Sequence, residues 1–278
     1  MKFGFVLPGG EAIDCANFAE KAEEAGWDGI FVPDQVWGVD AWVTLTAIAM
    51  KTKRIRMGTM LTPVSRRRPW NLAGQTAAID RLSKGRLILS VGLGATDTGF
   101  DKFGEELDRK KRAELLDEGL DIITGLWRGQ PFNYAGKHYQ VKETMFFPPP
   151  PPLQKPRIPI WVVGAWPRKK SMQRVARYDG LVPSKMISDG SFVKITRADI
   201  RAMKEYVVEH RKLKTPFDII LEGQTPGDNA RGARAKVKPF EDAGATWWLD
   251  SMWSETLFNQ KGKRKVLTRI KQGPPSET

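Results

Sequence analysis

Residues 68–98 read RPWNLAGQTAAIDRLSKGRLILSVGLGATDT, and this stretch combines a helix, a turn and a strand in one short unit. Pro69 suits the first turn of a helix, where its missing N–H costs no hydrogen bond. Gly85 supplies the left-handed residue with which many helices end. Between them, small or apolar residues recur at the spacing of one buried helical face: Leu72, Ala73, Thr76, Ala77, Ile79 and Leu82. The pattern predicts a helix over 69–82.

The strand of this unit follows directly and is almost entirely apolar. Residues 87–91 read LILSV, which is typical of a strand that is covered on both faces. The loop Gly92-Leu93-Gly94 follows at the carboxyl end of the strand, where α/β proteins bind ligands. The stretch therefore predicts one helix–strand unit with a candidate ligand loop.

The same alternation of strand and helix recurs along the chain. The predicted strands cover residues 2–7, 29–32, 55–61, 87–91, 158–163, 180–183, 217–222 and 246–249. The predicted helices cover residues 13–25, 41–51, 69–82, 109–128, 169–178, 196–212, 229–243 and 255–272. This order predicts an α/β fold of the (β/α)8 TIM-barrel type, as a single domain over residues 1–278. An open doubly wound sheet is the alternative on pattern alone.

One insertion, at about residues 130–156, interrupts the alternation between the fourth and fifth strands. Residues 131–141 read PFNYAGKHYQV and predict a β-hairpin that turns at Ala135-Gly136. Residues 147–152 read FPPPPP and predict extended polyproline. A proline run is either a ligand for an SH3-type domain or, inside a folded chain, a stiff connection, and the second interpretation is favoured.

In a closed barrel, right-handed crossovers bring all eight strand carboxyl ends to one rim. The residues predicted to be neighbours at that rim are Pro8, Asp34, Gln35, Thr62, Gly92, Gly94, Gly164, Ser184, Glu222 and Asp250. The two histidines, His138 and His210, fall outside this set, which disfavours a Ser-His-Asp triad and a histidine-rich metal centre. A pair of rim carboxylates for glycoside hydrolysis is a further alternative without a supporting spacing. No metal site is predicted, and a rim rich in glycine, threonine, tryptophan and proline favours a flat cofactor that carries the chemistry.

Composition limits the other function classes. The net charge of +13 raises the possibility of nucleic-acid binding, but the basic residues are spread over predicted helix surfaces without a zinc finger or an RNA-binding signature. Cys15 is the only cysteine, which excludes an internal disulfide. No apolar run approaches the roughly 20 residues that span a bilayer. The first strand begins at once, which leaves no room for a signal peptide, and a cytoplasmic location is expected.

Five blocks of sequence carry a resemblance to a known family. They read KFGFVLP (2–8), AEKAEEAGWDGIFVPDQ (19–35), RIRMGTMLTPVSRRRPWNLAGQTAAIDRLSKGRLILSVGLGA (54–95), IPIWVVGAWPRKKSMQRVARYDGLVP (158–183) and DAGATWWLDS (242–251). In these blocks the chain resembles the bacterial luciferase-like monooxygenases, which are flavin- and F420-dependent oxidoreductases. The resemblance covers residues 2 to about 182 in order and implies a barrel with FMN, or alternatively coenzyme F420, in its mouth.

The resemblance also implies which residues hold the cofactor. The ring is expected over strand ends at Pro8, Leu61-Thr62 and the loop from Gly92 through Gly94, with a bulge or non-proline cis peptide near Met60-Leu61-Thr62. The phosphate is expected on the N–H groups of Gly164, Ala165 and Trp166, with Arg168 or Lys169 adding positive charge. The alternative for Gly164 is an ordinary strand-to-helix turn.

One pair of residues departs from the family pattern. Many members carry Asp-His after the second strand, whereas this chain has Asp34-Gln35. Glutamine donates and accepts hydrogen bonds but does not shuttle protons near neutral pH, so histidine-assisted chemistry is in doubt. Asp34, Gln35 and Trp37 are the candidate catalytic residues, and Trp37 either walls a substrate pocket or packs beneath its loop.

The expected function is therefore hydride transfer or monooxygenation of a small, largely apolar organic substrate by an enzyme of the luciferase-like class. A non-catalytic barrel that binds flavin or another ligand is the alternative, because Gln35 replaces the histidine. A nucleic-acid-binding protein is the third hypothesis. A small molecule is the expected partner, without nucleic acid or membrane, and the resemblance implies a homodimer formed through helices of the second and third units.

Overall fold

A computed structural model of the protein describes residues 1–145, 148–187 and 191–275, so Phe147 of the predicted polyproline segment lies outside the described residues. Its strands, in chain order, are β1 (Lys2–Val6), β2 (Gly29–Val32), β3 (Arg56–Thr59), β4 (Thr62–Pro63), β5 (Leu87–Gly92), β6 (Phe132–Ala135), β7 (Gln140–Thr144), β8 (Ile160–Trp166), β9 (Gly180–Met186), β10 (Phe192–Val193), β11 (Asp218–Gly223) and β12 (Trp247–Ser251). The strands β1, β2, β3, β5, β8, β9, β11 and β12 pair in parallel around a closed ring. The predicted (β/α)8 barrel is confirmed.

Helices occupy the connections between the barrel strands. They are α1 (Ala12–Glu24), α2 (Ala41–Lys51), α3 (Pro69–Leu82), α4 (Arg109–Arg128), α5 (Lys169–Val175), α6 (Arg197–His210), α7 (Ala230–Ala243) and α8 (Gln260–Lys271). Helices α3 and α4 have the predicted bounds, whereas α8 begins five residues later than predicted. Its start is set by Asn259, whose Oδ1 accepts the N–H of Gly262 as an N-cap. Within the described residues, every helix is too short or too polar to cross a membrane.

The barrel closes where its first strand pairs with its last strand. Strand β1 pairs with β2 on one side and with β12 on the other, so that Lys2 lies opposite Trp247. Strand β4 continues β3 after a break of two residues, and both pair with β5. The carboxyl ends of all these parallel strands therefore lie at one face of the barrel, which is called the mouth below.

Aromatic side chains fill the barrel interior at the opposite end from the mouth. Phe31 stacks on Trp161 with ring centroids 5.4 Å apart, and Trp161 meets Trp247 edge-on at 5.2 Å. Glycines on neighbouring strands leave space for these rings. A Cβ atom on Gly180 would lie 2.3 Å from Trp161 Cδ1, and one on Gly58 would lie 2.4 Å from the carbonyl oxygen of Ile88. Large aromatic rings thus pack against glycines, which have no side chain, and the barrel interior is closely packed.

Two strands near the mouth are longer than predicted. Strand β8 continues from the predicted end at Val163 to Trp166, and β9 continues in register with it, with Gly164 opposite Pro183. A Cβ atom on Gly164 would lie 2.9 Å from Val175 of α5 and 2.4 Å from Leu181. Gly164 is therefore a strand residue that lets α5 approach the sheet, and the alternative of an ordinary strand-to-helix turn at this glycine does not hold.

The predicted hairpin of the insertion is confirmed and lies against α4. Strands β6 and β7 pair antiparallel, and Glu118 of α4 accepts the backbone N–H groups of Lys137, His138 and Tyr139 in the turn. Glu114, one helical turn earlier, contacts Lys137 Nζ and His138 Nε2, each at 2.8 Å. Two carboxylates of one helix face therefore hold the hairpin in place.

The Glu114→Gln variant is expected to change how unfolding depends on pH. Hydrogen bonds from Lys137 and then from His138 lower the pKa of Glu114 from its ordinary value of 4.5 to about 2. A carboxylate with a lowered folded pKa contributes stability that is fully present above pH 4.5 and is lost as the pH falls through about 2. Urea unfolding from pH 6 to pH 2 should therefore show a wild-type advantage that shrinks towards the acid end.

Glu143→Gln is the matched control, because Glu143 is an exposed carboxylate on strand β7 of the same hairpin. Its difference from wild type should stay flat over the same pH range. A Glu114→Gln difference that grows as the pH falls would contradict the assignment.

Candidate active site

The floor of the mouth is formed by inward-facing residues near the strand ends. The buried cluster inside the barrel, called the interior cluster below, includes Val6, Ile88, Trp161, Val182, Ile220 and Leu249. Because side chains alternate between the two faces of a strand, the residue two positions further along is the next one to face inward, towards the mouth. On β5 this residue is Ser90, which is completely buried and whose Oγ has no hydrogen-bond partner in the structure. Buried hydroxyl groups are nearly always satisfied, so Ser90 is a candidate contact for a ligand atom.

The third barrel strand ends with the irregularity that the resemblance implies. The Met60–Leu61 peptide is cis, and it separates β3 from β4. The hydroxyl groups of Thr59 and Thr62 lie 2.9 Å apart across this break, and Thr59 Oγ1 donates to the carbonyl of Ser90 at 3.2 Å. The strand end is thereby joined to β5 directly beside the mouth.

The glycine loop after β5 packs against this irregular strand end. A Cβ atom on Gly92 would lie 3.0 Å from both methyl groups of Leu61. Gly94 has φ +75°, and a Cβ atom there would lie 2.6 Å from Phe100 Cζ. The buried guanidinium of Arg112, from α4, donates through Nη1 to the carbonyls of Leu93 at 2.7 Å and of Gly94 at 3.1 Å. The loop is thus held from below, and only glycine fits position 94.

Two of the three consecutive arginines at positions 66–68 hold the loop after β2. Arg67 makes a two-point ion pair with the buried carboxylate of Asp34, at 2.5 Å and 3.2 Å. Arg66 donates to the backbone carbonyls of Asp34 at 3.1 Å and of Gln35 at 2.7 Å. The Asp34 carboxylate is therefore engaged by Arg67, and both arginines are occupied by contacts with this loop.

The side chains of Gln35 and Trp37 are exposed, whereas that of Asp34 is buried. Gln35 is exposed, and the absence of a Cβ atom on Gly38 leaves room for its amide, since such an atom would lie 2.4 Å from Gln35 Oε1. Trp37 is 81% exposed and lies nearly parallel to Phe103, with ring centroids 6.3 Å apart. Trp37 therefore does not pack beneath its loop.

Phe103 is a site residue that the sequence predictions missed. It lies on the loop after β5, is 56% exposed and meets Trp37 from the neighbouring loop. An aromatic residue between Gly99 and Gly104 in a loop that follows a ligand-binding strand end was the available signal. Ser90 and Arg112 were also missed, because neither belongs to a motif and both matter only through their burial.

The predicted phosphate residues lie along β8 rather than at a helix start. The Ala165 N–H donates to Ser171 Oγ at 2.9 Å, and the Trp166 ring packs edge-on against Tyr206 of α6. Helix α5 begins three residues after Trp166, with Arg168 as its N-cap. Arg168 Nη2 donates to the carbonyl of Ile187 at 3.2 Å. The structure brings these residues to the mouth edge but not into the predicted arrangement of N–H groups.

A basic cleft lies beside that edge, between α4 and α5. Its volume is about 910 Å³, and it is lined by Leu93, Asp108, Arg109, Lys110, Ala113, Glu114, Asp117, Arg168, Lys170, Ser171, Gln173, Arg174 and Arg177. Arg174 is paired with Asp117, and Arg177 is paired with Asp121. Lys110 and Lys170 have no ion pair among the described residues, so the cleft keeps unbalanced positive charge next to the mouth.

The remaining rim carboxylates do not form a catalytic pair. Asp250 is buried against α8, where it accepts from Thr225 and from Arg269 Nη2 at 2.8 Å. Burial raises the pKa of Asp250, against the opposing effect of Arg269. Glu222 is exposed at the rim and accepts the indole N–H of Trp253. Since Asp34 and Asp250 are both buried in ion pairs with arginines, the glycoside-hydrolysis alternative loses its second carboxylate.

The structure also locates the two histidines away from the mouth. His138 is in the hairpin with Glu114, and His210 ends α6, where its ring stacks on Tyr206. Within the described residues, no group of three or more His, Cys, Asp and Glu side chains is arranged to hold a metal ion. The mouth instead offers an apolar floor, a glycine loop and the unpartnered Ser90 hydroxyl, which fit a flat ring with polar edges.

Comparisons with known proteins agree with this geometry. The family model described as luciferase-like monooxygenase matches residues 1–264. An F420-dependent glucose-6-phosphate dehydrogenase of Amycolatopsis mediterranei (strain U-32) is 31% identical over 180 residues, which are 60% of this chain and 50% of that protein. The chain thus matches about half the length of this relative.

Two solved structures share the fold at low sequence identity. Monooxygenase RslO1 from Streptomyces bottropensis superimposes with a TM-score of 0.76 at 18% identity, covering 98% of each chain. An F420-dependent secondary alcohol dehydrogenase in complex with an F420–acetone adduct gives a TM-score of 0.74 at 16% identity, covering 97% of this chain and 98% of that chain. Because the family model matches nearly the whole sequence, the chain belongs to the luciferase-like monooxygenases, a family of flavin- and F420-dependent oxidoreductases.

Proposed function

We propose that this protein is an F420-dependent oxidoreductase that binds the deazaflavin ring in the barrel mouth, over Pro8, Leu61-Thr62 and the loop from Gly92 to Gly94. The observation that carries the proposal is the floor of the mouth. There, the buried Ser90 hydroxyl has no partner among the described residues, while the Ser90 carbonyl accepts from Thr59, whose hydroxyl also contacts that of Thr62. A ring with polar atoms along one edge would satisfy this hydroxyl, whereas an apolar ligand would not.

The basic cleft favours F420 over FMN as the cofactor. Lys110 and Lys170, with Arg109 and Arg168 nearby, line a space of about 910 Å³ that adjoins Leu93 of the glycine loop. A ring in the mouth would place an anionic chain near these cations, and F420 carries a longer polyanionic tail than FMN. The relative from Amycolatopsis mediterranei is also named as F420-dependent. Cationic clefts attract such ligands through long-range electrostatics.

The exposed aromatic pair of Trp37 and Phe103 supports a small, largely apolar substrate. Both rings stand at the mouth without burial against the core, at 81% and 56% exposure. Apolar surface of this kind at a mouth is typical of ligand-binding clefts. Gln35, beside Trp37, provides an amide that can donate and accept hydrogen bonds with a polar substituent.

When bound, the cofactor supplies hydride donation or acceptance. The chain's own residues bind and orient: Ser90 contacts the ring edge, Arg112 fixes the glycine loop, and Arg66 fixes the loop that carries Gln35. The Trp37–Phe103 pair shields the substrate from water. Holding reactants in a fixed geometry is itself a large contribution to rate.

Titration of the purified protein with F420, with FMN and with the deazaflavin chromophore lacking phosphate and tail tests the proposal. Fluorescence of each cofactor is followed at moderate salt. We expect F420 to bind at least about tenfold more tightly than either of the others. Tighter binding of FMN would identify FMN, and not F420, as the cofactor. Binding of none of the three would overturn the proposed function.

The Gly94→Ala variant is expected to weaken F420 binding by about tenfold or more. Alanine at φ +75° is strained, and its Cβ atom would lie 2.6 Å from Phe100 Cζ, so the loop must move. Gly99→Ala is the matched control, because Gly99 also has a positive φ, of +97°, but no atom of the described residues lies within 4 Å of the added methyl group. Equal losses in both variants would show that backbone strain alone, and not the ring-side packing, is responsible.

Two further hypotheses concern turnover at this site and the oligomeric state of the protein. A barrel that binds the cofactor without turnover is supported by Gln35, and substrate-dependent oxidation or reduction of the bound cofactor would exclude it. A homodimer is supported by apolar side chains exposed on the outer faces of α2 and α3, among them Val43, Met50 and Trp70. Both helices belong to the units through which the family resemblance implies dimerisation.

A further inference from the structure

We infer that Glu222 is the group that accepts or donates a proton at the mouth, in the role for which Gln35 is chemically unsuited. This inference rests on the proposed function. Ile220 belongs to the interior cluster, and Glu222 is the next inward-facing residue of β11 towards the mouth. A Cβ atom on the following residue, Gly223, would instead meet Trp248 on the outer side. The Glu222 side chain therefore stands exposed above the floor, on the ligand side of the barrel.

Trp253 orients this carboxylate. The indole Nε1–H donates to Glu222 Oε1, and Trp253 itself follows β12, the strand that pairs with β11. One carboxylate oxygen is thereby fixed, while Oε2 has no protein partner among the described residues. A carboxylate with one anchored and one free oxygen is suited to proton transfer, because its reactive oxygen has a defined direction. Trp253 is a positioning residue in this arrangement.

Three other acidic side chains near the rim have cations beside them. Asp34 is paired with Arg67, and Asp250 is paired with Arg269 on the outer side of the barrel. Glu105 lies 3.6 Å from Arg66 Nε. Glu222 has no ion pair among the described residues. Glu222 therefore combines an inward position on its strand with a carboxylate that has no cationic partner in the described part of the chain.

The charged groups on the neighbouring strands point away from Glu222. On β9, which pairs with β11, Lys185 donates to Asp199 of α6 at 2.7 Å. On β12, Asp250 points outward to α8. Lys236 of α7 donates to the carbonyl of Gln224 beyond the strand end. None of these partners competes for the free carboxylate oxygen.

For an alcohol substrate, oxidised deazaflavin would be the hydride acceptor. The O–H bond of the alcohol breaks and its proton passes to the Glu222 carboxylate. The carbinol C–H bond breaks, its hydrogen leaves with both electrons to the deazaflavin, and a C=O bond forms. The alcohol is oxidised by two electrons and the deazaflavin is reduced by two. In the reverse direction, protonated Glu222 returns the proton to the carbonyl oxygen.

Glu222→Gln tests the inference, because glutamine retains the acceptor for Trp253 but cannot transfer a proton. Infrared difference spectra between wild type and the variant isolate the carboxylate bands of Glu222. We expect these bands to shift when F420 is added, while the F420 dissociation constant changes by less than about threefold. With propan-2-ol as the probe substrate, kcat should fall by about 100-fold or more, and the limb of the pH profile due to the carboxylate should disappear.

Glu255→Gln is the matched control, since Glu255 follows β12, the neighbouring strand, but is paired with Lys265. It should retain the wild-type band shift and kcat. Trp253→Phe, which removes the indole N–H, should lower kcat by about tenfold at unchanged KM for F420. If the carboxylate bands do not respond to F420 in a protein that binds it, or if Glu222→Gln keeps wild-type kcat and pH profile, the inference is wrong. If wild type binds no cofactor, the proposed function fails first.

Discussion

Replacing Gly58 with alanine is expected to destabilise the barrel by about 3 kcal/mol, the upper part of the range for overpacked cores. The added Cβ atom would lie 2.4 Å from the carbonyl oxygen of Ile88 and 3.3 Å from the Phe31 ring. The carbonyl belongs to the neighbouring strand β5, so it cannot rotate aside as a flexible side chain would. The methyl group must push β3 and β5 apart or displace the aromatic layer.

Gly74→Ala provides the control for this substitution. Gly74 lies inside α3, and among the described residues no neighbouring atom would lie within 4 Å of a Cβ atom there. Alanine is the better helix former, so this variant should be more stable than wild type by about 0.5–1 kcal/mol. Urea unfolding followed by circular dichroism gives both values. Similar unfolding midpoints for the two variants would contradict the packing described for the barrel interior.

Arg67→Ala is expected to cost about 3 kcal/mol and to loosen the loop after β2. The substitution leaves the carboxylate of Asp34 buried without its cation, and an unpaired buried charge is more costly than a missing pair. The loop carries Gln35 and Trp37, so F420 or substrate binding should weaken together with stability. Thermal or urea unfolding measures the first effect, and cofactor titration measures the second.

Two further variants separate the ion pair from other losses. Arg68→Ala removes the adjacent, exposed arginine, whose guanidinium lies 5.8 Å from the Trp70 ring, and should change the free energy of unfolding by less than about 0.5 kcal/mol. Asp34→Asn in the Arg67→Ala background removes the stranded charge and should recover part of the lost stability. Equal effects of Arg67→Ala and Arg68→Ala, or no recovery in the double variant, would argue against a buried pair.

Much of the fold follows from local signals that tertiary packing does not override. Pro69 and Gly85 bracket α3, and the observed helix has the predicted bounds. Helix α4 also has its predicted bounds, since its apolar residues recur at helical spacing between Asp108 as N-cap and Gly129 after its end. Regular alternation then determines the number of barrel strands, and the one irregular segment coincides with the hairpin.

The errors come from residues with more than one physical use. For Gly164 the resemblance implied a phosphate contact, with an ordinary turn as the alternative, but this glycine lies within β8 and lets α5 approach the sheet. The sequence shows Arg66 and Arg67 only as basic residues, whereas the structure shows that they hold the loop after β2. A one-dimensional pattern records that a residue is small or charged, whereas its partner is chosen by the closed barrel.

Site residues divide along the same line. Asp34, Gln35 and Trp37 were predicted as one catalytic group. The Asp34 side chain instead forms an ion pair with Arg67, whereas the Trp37 ring extends outward and contacts Phe103. The cis peptide at Met60–Leu61 was implied by the family resemblance and is present. Ser90 was invisible as a site residue, because a serine in an apolar strand attracts notice only when its hydroxyl is found without a partner.

The pairing of β1 with β12 has a consequence for how the chain is made. Lys2 lies opposite Trp247, so the edge of β1 that faces β12 has no partner until almost the whole sequence has left the ribosome. At about 5–20 residues per second, that interval is roughly 12 to 50 s. An open strand edge is a template for pairing with other chains, so nascent protein in this interval is prone to aggregate and suited to chaperone capture.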